Sequence, residues 1–176
     1  QWVDASQCVS GKCLYFDGIN NETLVNDSKS FDNLNSGAIG FWMKPSGGHT
    51  AGDGYRGLLY KNQTGGNNGD MALILRDDDG KMQFYRDGNF SGVGLNSKKS
   101  SWEDRFYHIV ISWSGDDKSL YVDGSLDNTA NFTGATLDNT GNFEIGRSYS
   151  NDEVASVYFN GFIDEVKIYP YARSAS

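Results

Sequence analysis

Proline is scarce in this chain, with two residues among 176, and helix-forming runs of Ala, Leu, Glu and Lys are almost absent. No apolar run approaches the roughly 20 residues that a membrane-spanning helix needs. Basic residues are outnumbered, 15 against 23 acidic ones, which gives a formal net charge of −8. This charge argues against nucleic acid and anionic membranes as partners, because both attract basic surfaces. It is compatible with neutral glycans, with cations or with solubility alone.

Signatures of catalysis are also missing. The two histidines, His49 and His108, lie in a predicted loop and a predicted strand, and the chain has no Gly-x-Ser-x-Gly sequence. Glycoside hydrolysis requires a pair of carboxyl groups at a set separation. Glu144 is isolated in the sequence, and the adjacent Asp164 and Glu165 point to opposite faces of a regular strand. We therefore predict that the chain is not an enzyme.

Cysteine is limited to Cys8 and Cys13. Two thiols are a poor zinc site, since structural zinc takes four ligands. A disulfide that pins an N-terminal arm, residues 1–13, is the favoured alternative and indicates an oxidising compartment. The sequence begins at Gln1 without Met or a signal peptide, so we expect a module or processed form of a larger protein.

What the chain has in quantity is glycine and aromatic residues: 22 Gly, 10 Tyr, 10 Phe and 4 Trp. They are typical of many short strands joined by tight turns. Apolar and polar residues alternate along Ala38–Met43 and Phe106–Trp113, as in half-buried strands. Met71–Arg76 and Lys81–Arg86 flank an Asp-Asp-Asp-Gly turn and predict a hairpin. The triple Asp lacks the ligand spacing of a helix-loop-helix calcium site, which favours a solvated turn.

About eleven strands can be assigned, with short connections and no helical crossover. The pattern predicts an all-β fold, a two-sheet antiparallel β-sandwich, in one domain over residues 1–176. Its closing strand is Asn160–Tyr169, which contains Asp164 and is ended by Pro170. A short strand near the start of the chain, Leu14–Phe16, is followed by another acidic residue, Asp17. If these two strands are neighbours, Asp17 and Asp164 could converge on a cation; solvation of both carboxylates is the alternative.

Six segments resemble, in their order and spacing, the laminin-G-like jelly rolls of the concanavalin A-like lectin and glucanase superfamily. They are Leu14–Asn21, Ala38–Pro45, Tyr107–Trp113, Leu120–Gly124, Phe143–Arg147 and Asn160–Tyr169. The resemblance spans nearly the whole chain and implies a jelly roll whose first and last strands lie side by side. The fold carries lectins, carbohydrate-binding modules, adhesion domains and some glycosidases, so it does not by itself assign a function.

The resemblance also implies a structural calcium ion where the first and last strands meet. It suggests Asp17 and Asp164 as carboxylate ligands, with further oxygens from Gly18, Asn20 and Asn21. Family members often have acidic residues where this chain has the two asparagines. Amide oxygens carry no charge, so the site would bind calcium more weakly or use backbone carbonyls.

Two candidate glycan surfaces follow from strand alternation and loop composition. The first lies on a sheet face and consists of Arg76, Gln83, Tyr85, His108 and Tyr121. Aromatic rings stack on the C–H faces of sugars, but outward Tyr and His also pack across strands without any ligand. The second candidate is borne by loops and consists of Tyr55, Arg56, Phe90, Trp102, Arg147 and Tyr149. Trp42 and Trp113 lie in strand motifs of the family and are interpreted as structural.

The sequence thus predicts a non-catalytic, extracellular or cell-surface module that binds a glycan or glycoprotein and holds a structural calcium ion. The first alternative is an adhesion or assembly scaffold without sugar specificity. A glycoside hydrolase or lyase of the same fold ranks third.

Overall fold

The computed structural model describes residues 1–31, 35–61, 71–86, 94–133, 140–149 and 156–174, and it confirms the all-β prediction. In chain order the strands are β1 (Trp2–Val3), β2 (Cys13–Asp17), β3 (Thr23–Val25), β4 (Ser36–Pro45), β5 (Arg56–Lys61), β6 (Met71–Leu75), β7 (Met82–Arg86), β8 (Leu95–Asn96), β9 (Tyr107–Ser114), β10 (Asp117–Val122), β11 (Ser125–Asn131), β12 (Phe143–Ile145), β13 (Arg147–Tyr149), β14 (Ser156–Tyr158) and β15 (Asn160–Tyr169). Two 3-10 turns, Ala5–Gln7 and Lys29–Phe31, are the helical elements of these ranges. None of the described helices is long and apolar enough to cross a membrane.

The strands form two main antiparallel sheets. The seven-stranded sheet has the order β1-β2-β15-β4-β9-β10-β11, and the six-stranded sheet has the order β3-β12-β5-β6-β7-β8. The predicted hairpin is confirmed as β6–β7, closed by the Arg76 amide donating to the Lys81 carbonyl at 2.8 Å. Strands distant in sequence therefore lie side by side, as in a jelly roll.

The core fills the space between the two inner sheet faces. Strand alternation predicts eight inward-facing residues on β6, β7, β9 and β10; seven of them are buried in the core, and the eighth, Val122, is half-buried against it. The seven are Leu73, Leu75, Met82, Phe84, Ile109, Ile111 and Leu120. Each fully buried aliphatic or aromatic side chain contributes about 1.5–3 kcal/mol. The alternation that buries these residues also fixes which side chains remain on the outer faces.

The structure confirms that the predicted strand at Leu14–Phe16, which is part of β2, lies beside the closing strand β15. The register of this pair gives the positions of Asp17 and Asp164. β15 pairs with β2 from Asn160 opposite Asp17 to Ile163 opposite Leu14. On its other edge β15 pairs with β4, where a β-bulge lies between Asp164 and Lys167. Within the bulge Glu165 has φ 50°, a left-handed conformation uncommon for a residue other than glycine.

The closing strand spans Asn160–Tyr169 as predicted, and the chain leaves a separate sheet and enters the seven-stranded one at Phe159. Ser156–Tyr158 pairs with Arg147–Tyr149 in a separate two-stranded sheet. This small sheet packs on β5 so closely that a Cβ on Gly57 would lie 2.1 Å from the Ser148 nitrogen. Part of the outer face of the six-stranded sheet is therefore covered by protein.

The predicted disulfide is confirmed. Cys8 and Cys13 are bonded at 2.11 Å, with their Cα atoms 5.5 Å apart. Cys13 is the buried first residue of β2, so the bond ties the N-terminal arm to the seven-stranded sheet.

Candidate functional site

A groove lies on the outer face of the seven-stranded sheet, over Gly40 on β4. Across the strands Gly40 is in register with Lys167 on β15 and Val110 on β9, and Val110 pairs with Tyr121 on β10. Gly40 has no side chain and Val110 has a short one, so this row forms a depression between rows of larger side chains. The cavity has a volume of about 130 Å³.

One wall of the groove is aromatic. Trp42 on β4 pairs with His108 on β9, and their ring centroids are 4.9 Å apart with an interplanar angle of 38°. Both rings are half-buried, because the neighbouring residues Phe41, Met43 and Ile109 alternate into the core. The wall is thus built on two central strands and keeps part of its aromatic surface open.

The opposite wall comes from the end of β15 and the segment after it. The guanidinium carbon of Arg173 lies 4.4 Å from the centroid of the Tyr169 ring, a cation–π contact. The Arg173 backbone amide donates to Oγ of Ser112 on β9 at 2.9 Å. This hydrogen bond attaches the segment after β15 to the sheet face, so Arg173 has a defined place beside the groove.

The β-bulge supplies the charged end of the groove. Because of the extra residue, Glu165 and Lys167 both reach the outer side while Val166 packs against the core. Lys167 Nζ lies 2.5 Å from Glu165 Oε2, and this hydrogen bond raises the pKa of Lys167. A non-glycine residue with positive φ at the edge of a cavity is the kind of local strain found at binding sites.

His108 is uncharged at neutral pH in this setting. Burial lowers the pKa of His108, the nearby Asp123 raises it, and Lys167 lowers it further. A neutral imidazole has one donor and one acceptor nitrogen. The groove therefore combines aromatic faces with donors and acceptors at its edges, which is the chemistry that a polyhydroxylated ring requires.

The structure splits the predicted sheet-face site in two. His108 and Tyr121 line the groove, whereas Arg76, Gln83 and Tyr85 lie on the outer face of the six-stranded sheet, on the other side of the sandwich. The prediction that all five share one face is wrong. Alternation tells which residues of a strand share a face, but not which sheet contains the strand.

The three residues on the six-stranded sheet are packed together rather than exposed. Tyr85 and Gln83 are each 2% exposed, and the Tyr85 hydroxyl donates to Gln83 Oε1. The same Gln83 oxygen accepts from Arg76 at 3.0 Å, and Arg76 also pairs with Asp78. Burial raises the pKa of Tyr85. The alternative of cross-strand packing is the one that the structure favours for these residues.

The loop-borne candidates do not form one surface either. Trp102 is 1% exposed; its indole Nε1 donates to the Gly80 carbonyl at 3.0 Å and its ring packs edge-on against Tyr107. Interpreting this loop tryptophan as a ligand platform was wrong, because the loop folds back over the core. Tyr55 is half-buried against the cluster that contains Tyr85. Phe90 and the side chain of Tyr149 lie outside the described residues.

Arg147 joins two carboxylates instead of facing solvent. Its Nη1 atom lies 2.9 Å from Glu22 Oε2 and 3.3 Å from Glu144 Oε2, and Nη2 donates to Ser156 Oγ at 2.9 Å. Burial raises the pKa of Glu144, and Arg147 opposes that rise. The sequence suggested that Glu144 is isolated, but in the structure it is paired with Arg147. The shared guanidinium makes this group an internal ion-pair network that connects β12, β13 and the segment before β3.

The predicted calcium ligands are not brought together. Asp17 is opposite Asn160, and Asp164 is four residues farther along β15, a separation of about 14 Å at the usual rise of a strand. Oδ1 of Asp17 accepts the amides of Ile19 and Asn20 in a local turn. Among the described residues, no three His, Cys, Asp or Glu side chains are grouped so that they could hold a metal ion.

Asp164 has a different partner. Its Oδ2 atom accepts the amides of Val9 and Ser10, both at 3.0 Å, and Oδ1 accepts the amide of Glu165 at 2.9 Å. The side chain is buried and its oxygens face backbone donors of the disulfide loop. A calcium ion held jointly by Asp17, Gly18, Asn20, Asn21 and Asp164 does not fit this geometry. Calcium binding elsewhere on the chain stays a prediction.

Sequence reasoning missed the large and charged side chains that form the rest of the groove walls, which include Trp42, Glu165, Lys167, Tyr169 and Arg173. Trp42 carried a usable signal, because it alternates with two core residues and so faces outward next to Gly40. The β-bulge that orients Glu165 left no sequence signal that we recognise.

The fold resembles those of several solved structures, two of them in complex with a sugar. Domain 4 of the extracellular arabinanase AbnA from Geobacillus stearothermophilus, solved in complex with arabinotriose, has a TM-score of 0.72 and 15% identity over 99% of this chain and 76% of that one. The CBM40 domain of the Ruminococcus gnavus IT-sialidase, bound to α2,3 sialyllactose, has a TM-score of 0.61 and 17% identity over 93% and 94%. A pentraxin from Limulus polyphemus has a TM-score of 0.65 and 14% identity over 92% and 76%. At these identities the likeness concerns the fold.

No curated protein matches the sequence. The family model Laminin_G_3, described as concanavalin A-like lectin/glucanases superfamily, matches residues 16–176. The match leaves out only residues 1–15, which comprise the N-terminal arm and the first three residues of β2. The chain therefore belongs to the Laminin_G_3 family of the concanavalin A-like lectin/glucanase superfamily.

Proposed function

We propose that this chain is a non-catalytic carbohydrate-binding module whose glycan site is the groove over Gly40. The observation that carries the proposal is the juxtaposition of the Trp42–His108 wall with Tyr121 around a glycine floor. These residues lie on central strands, so the platform is formed before the ligand arrives and little conformational freedom is lost on binding. The sugar complexes of related domains support the proposal.

The small cavity favours recognition of a glycan end. A volume of about 130 Å³ is below the roughly 300–1,000 Å³ of pockets for drug-sized ligands. A single sugar residue that stacks on Trp42 and hydrogen-bonds to charged and imidazole edges fits such a site better than a long buried chain. We expect affinity to be modest and to increase when several modules act together.

An extracellular or cell-surface location in a larger protein is part of the same proposal. The disulfide supports it, because such bonds persist in oxidising compartments. The proposal that the module lacks catalysis rests on the absence of a carboxylate pair among the lining residues of the groove, where Glu165 is the acidic member and is bound to Lys167.

A glycan array followed by calorimetric titration tests the function. For the strongest array ligand, Trp42→Ala should weaken binding by roughly tenfold, the effect of losing about 1.4 kcal/mol of stacking. Trp2→Ala is the matched control, because Trp2 is 65% exposed on β1 and does not line the groove. Equal affinities of the two variants would refute the proposed site.

An adhesion or assembly scaffold is the second candidate. It is favoured by the exposed apolar side chains of Trp2, Ile19 and Leu24, which are 65%, 71% and 53% exposed. Surfaces of this kind mark protein contacts when they are contiguous. An array without any ligand, together with self-association that Trp2→Ala abolishes, would favour the scaffold over the sugar-binding module.

A further inference from the structure

The charges around the groove do not cancel. Lys167 is paired with Glu165, and His108 is neutral at pH 7 because burial lowers its pKa. Asp123, near the Trp42–His108 wall, pairs with Arg105 at 3.0 Å and accepts the His108 amide. Arg173 has no ion pair with any carboxylate in the described parts of the chain. The groove therefore has one uncompensated positive charge, on a chain whose formal net charge is −8.

Arg173 is held in place although it has no carboxylate partner. Its amide is bound to Ser112 Oγ, and Ser112 is 5% exposed, so the anchor is part of the sheet. Its guanidinium carbon lies 4.4 Å from the centroid of the Tyr169 ring, so the charged group is held beside the groove. A planar guanidinium with available N–H groups matches the two oxygens of a carboxylate.

We infer that the glycan bound in the groove is acidic and that Arg173 binds its carboxylate. This inference rests on the proposed function and specifies its substrate class as a sugar acid, either a uronic or a sialic acid. The uncharged Trp42–His108 wall takes the apolar face of one sugar residue, and the Tyr169–Arg173 wall takes the carboxylate of the glycan. Because Trp42 and Ala38, the strand partner of Tyr169, are four residues apart on β4, the two walls are about 14 Å apart at backbone level. The acid and the stacked ring can thus belong to adjacent sugar residues.

The test compares acidic probes with uncharged counterparts. Trigalacturonate is titrated against its methyl ester, and 3′-sialyllactose against lactose, with the intact protein at low and at physiological salt. At least one acid should bind roughly tenfold more tightly than its neutral counterpart, the effect of a charge-assisted hydrogen bond. The pair that shows the difference identifies the source of the carboxylate. The preference should decrease as salt rises.

Substitutions test whether Arg173 causes the preference for acidic probes. Arg173→Gln should remove the difference between acid and neutral probe, whereas Arg173→Lys should keep part of the preference. Lys98→Gln is the matched control, because Lys98 is exposed outside the groove and the substitution changes the net charge equally. Thermal unfolding of each variant confirms that it is folded.

Two negative results have different meanings. If neutral probes bind as tightly as acids and Trp42→Ala still weakens them, the acidic specificity is wrong and the sugar-binding site stands. If no probe responds to Trp42→Ala, the proposed function fails as well. A preference for acids that Arg173→Gln leaves unchanged would also overturn the inference.

Discussion

Oδ2 of Asp164 lies 3.0 Å from the backbone nitrogen of Val9, which is 155 residues away in sequence. The contact joins the loop closed by the Cys8–Cys13 disulfide to the β-bulge of the last strand. The residue after Asp164 is Glu165, which lines the groove. The N-terminal arm therefore supports the backbone from which one end of the candidate site is built.

Removing this carboxylate should destabilise the fold. Asp164→Ala leaves the amides of Val9, Ser10 and Glu165 without their acceptor, and we expect a loss of about 3 kcal/mol in the free energy of unfolding. Asp164→Asn keeps one acceptor oxygen and should cost less. Urea denaturation measures both variants. A loss below about 0.5 kcal/mol for Asp164→Ala, the range of ordinary surface substitutions, would show that these hydrogen bonds are unimportant.

The disulfide and Asp164 should act as a unit. Replacing both cysteines by serine should cost about 2 kcal/mol, because a short loop is freed in the unfolded chain. Without the bond the loop no longer holds Val9 and Ser10 against Asp164, so Asp164→Ala should have a smaller effect in the Cys8→Ser/Cys13→Ser background. A double-mutant cycle from urea denaturation measures this coupling. Additive losses would indicate that the loop and the carboxylate are independent.

The register of β2 and β15 predicts that the contribution of Asp164 to stability does not depend on calcium. Since Asp17 and Asp164 are about 14 Å apart along the strand pair, they cannot be ligands of one ion. The decrease in Tm caused by Asp164→Ala should therefore be the same with added calcium and with a chelator. Thermal unfolding of wild type, Asp17→Ala and Asp164→Ala under both conditions provides the comparison. A calcium-dependent rise in the wild-type Tm that both substitutions abolish would contradict the register.

Stability should decrease in mild acid because of His49. Its side chain is 2% exposed, Nε2 lies 2.9 Å from the Arg76 carbonyl oxygen, and burial lowers its pKa. In the unfolded chain the pKa of His49 is about 6.5. The unfolded state therefore binds more protons below that pH, and the free energy of unfolding falls as pH decreases from about 7.5 towards 5.

His49→Gln should reduce this pH dependence, and His108→Gln should reduce it less, because His108 is only half-buried. Urea denaturation across the same pH range measures both slopes. The burial-raised pKa of Glu144 has the opposite effect on stability, so the difference between variant and wild type isolates each histidine. An unchanged slope in His49→Gln would assign the acid sensitivity to other groups.

The fold could be predicted from the sequence because its strands obey simple rules. Alternation along Phe106–Trp113 and around the Asp77–Gly80 turn fixed the faces of the strands and one hairpin, and the structure confirms both. The disulfide followed from two isolated cysteines with a short spacing. Local pattern and family resemblance agreed, and that consistency is typical of natural sequences.

The site was predicted only in part, for physical reasons that are specific to its residues. His108 and Tyr121 were correctly placed on one outer face, but assigning Arg76, Gln83 and Tyr85 to the same face required knowledge of which sheet holds each strand. Asp17 and Asp164 were placed on neighbouring strands, but their separation depends on register. A shift of a few residues, invisible in composition, decides whether two carboxylates meet.

The central claim is that sugar binds on the outer face of the seven-stranded sheet. The most direct measurement is a titration of ¹⁵N-labelled protein with the strongest glycan from the array, followed by amide chemical shifts. Our account predicts that the shifts concentrate at Gly40, Val110 and Tyr121 and are lost in Trp42→Ala. Shifts concentrated instead at Ile74, Gln83 and Tyr85, on the opposite side of the sandwich, would contradict it.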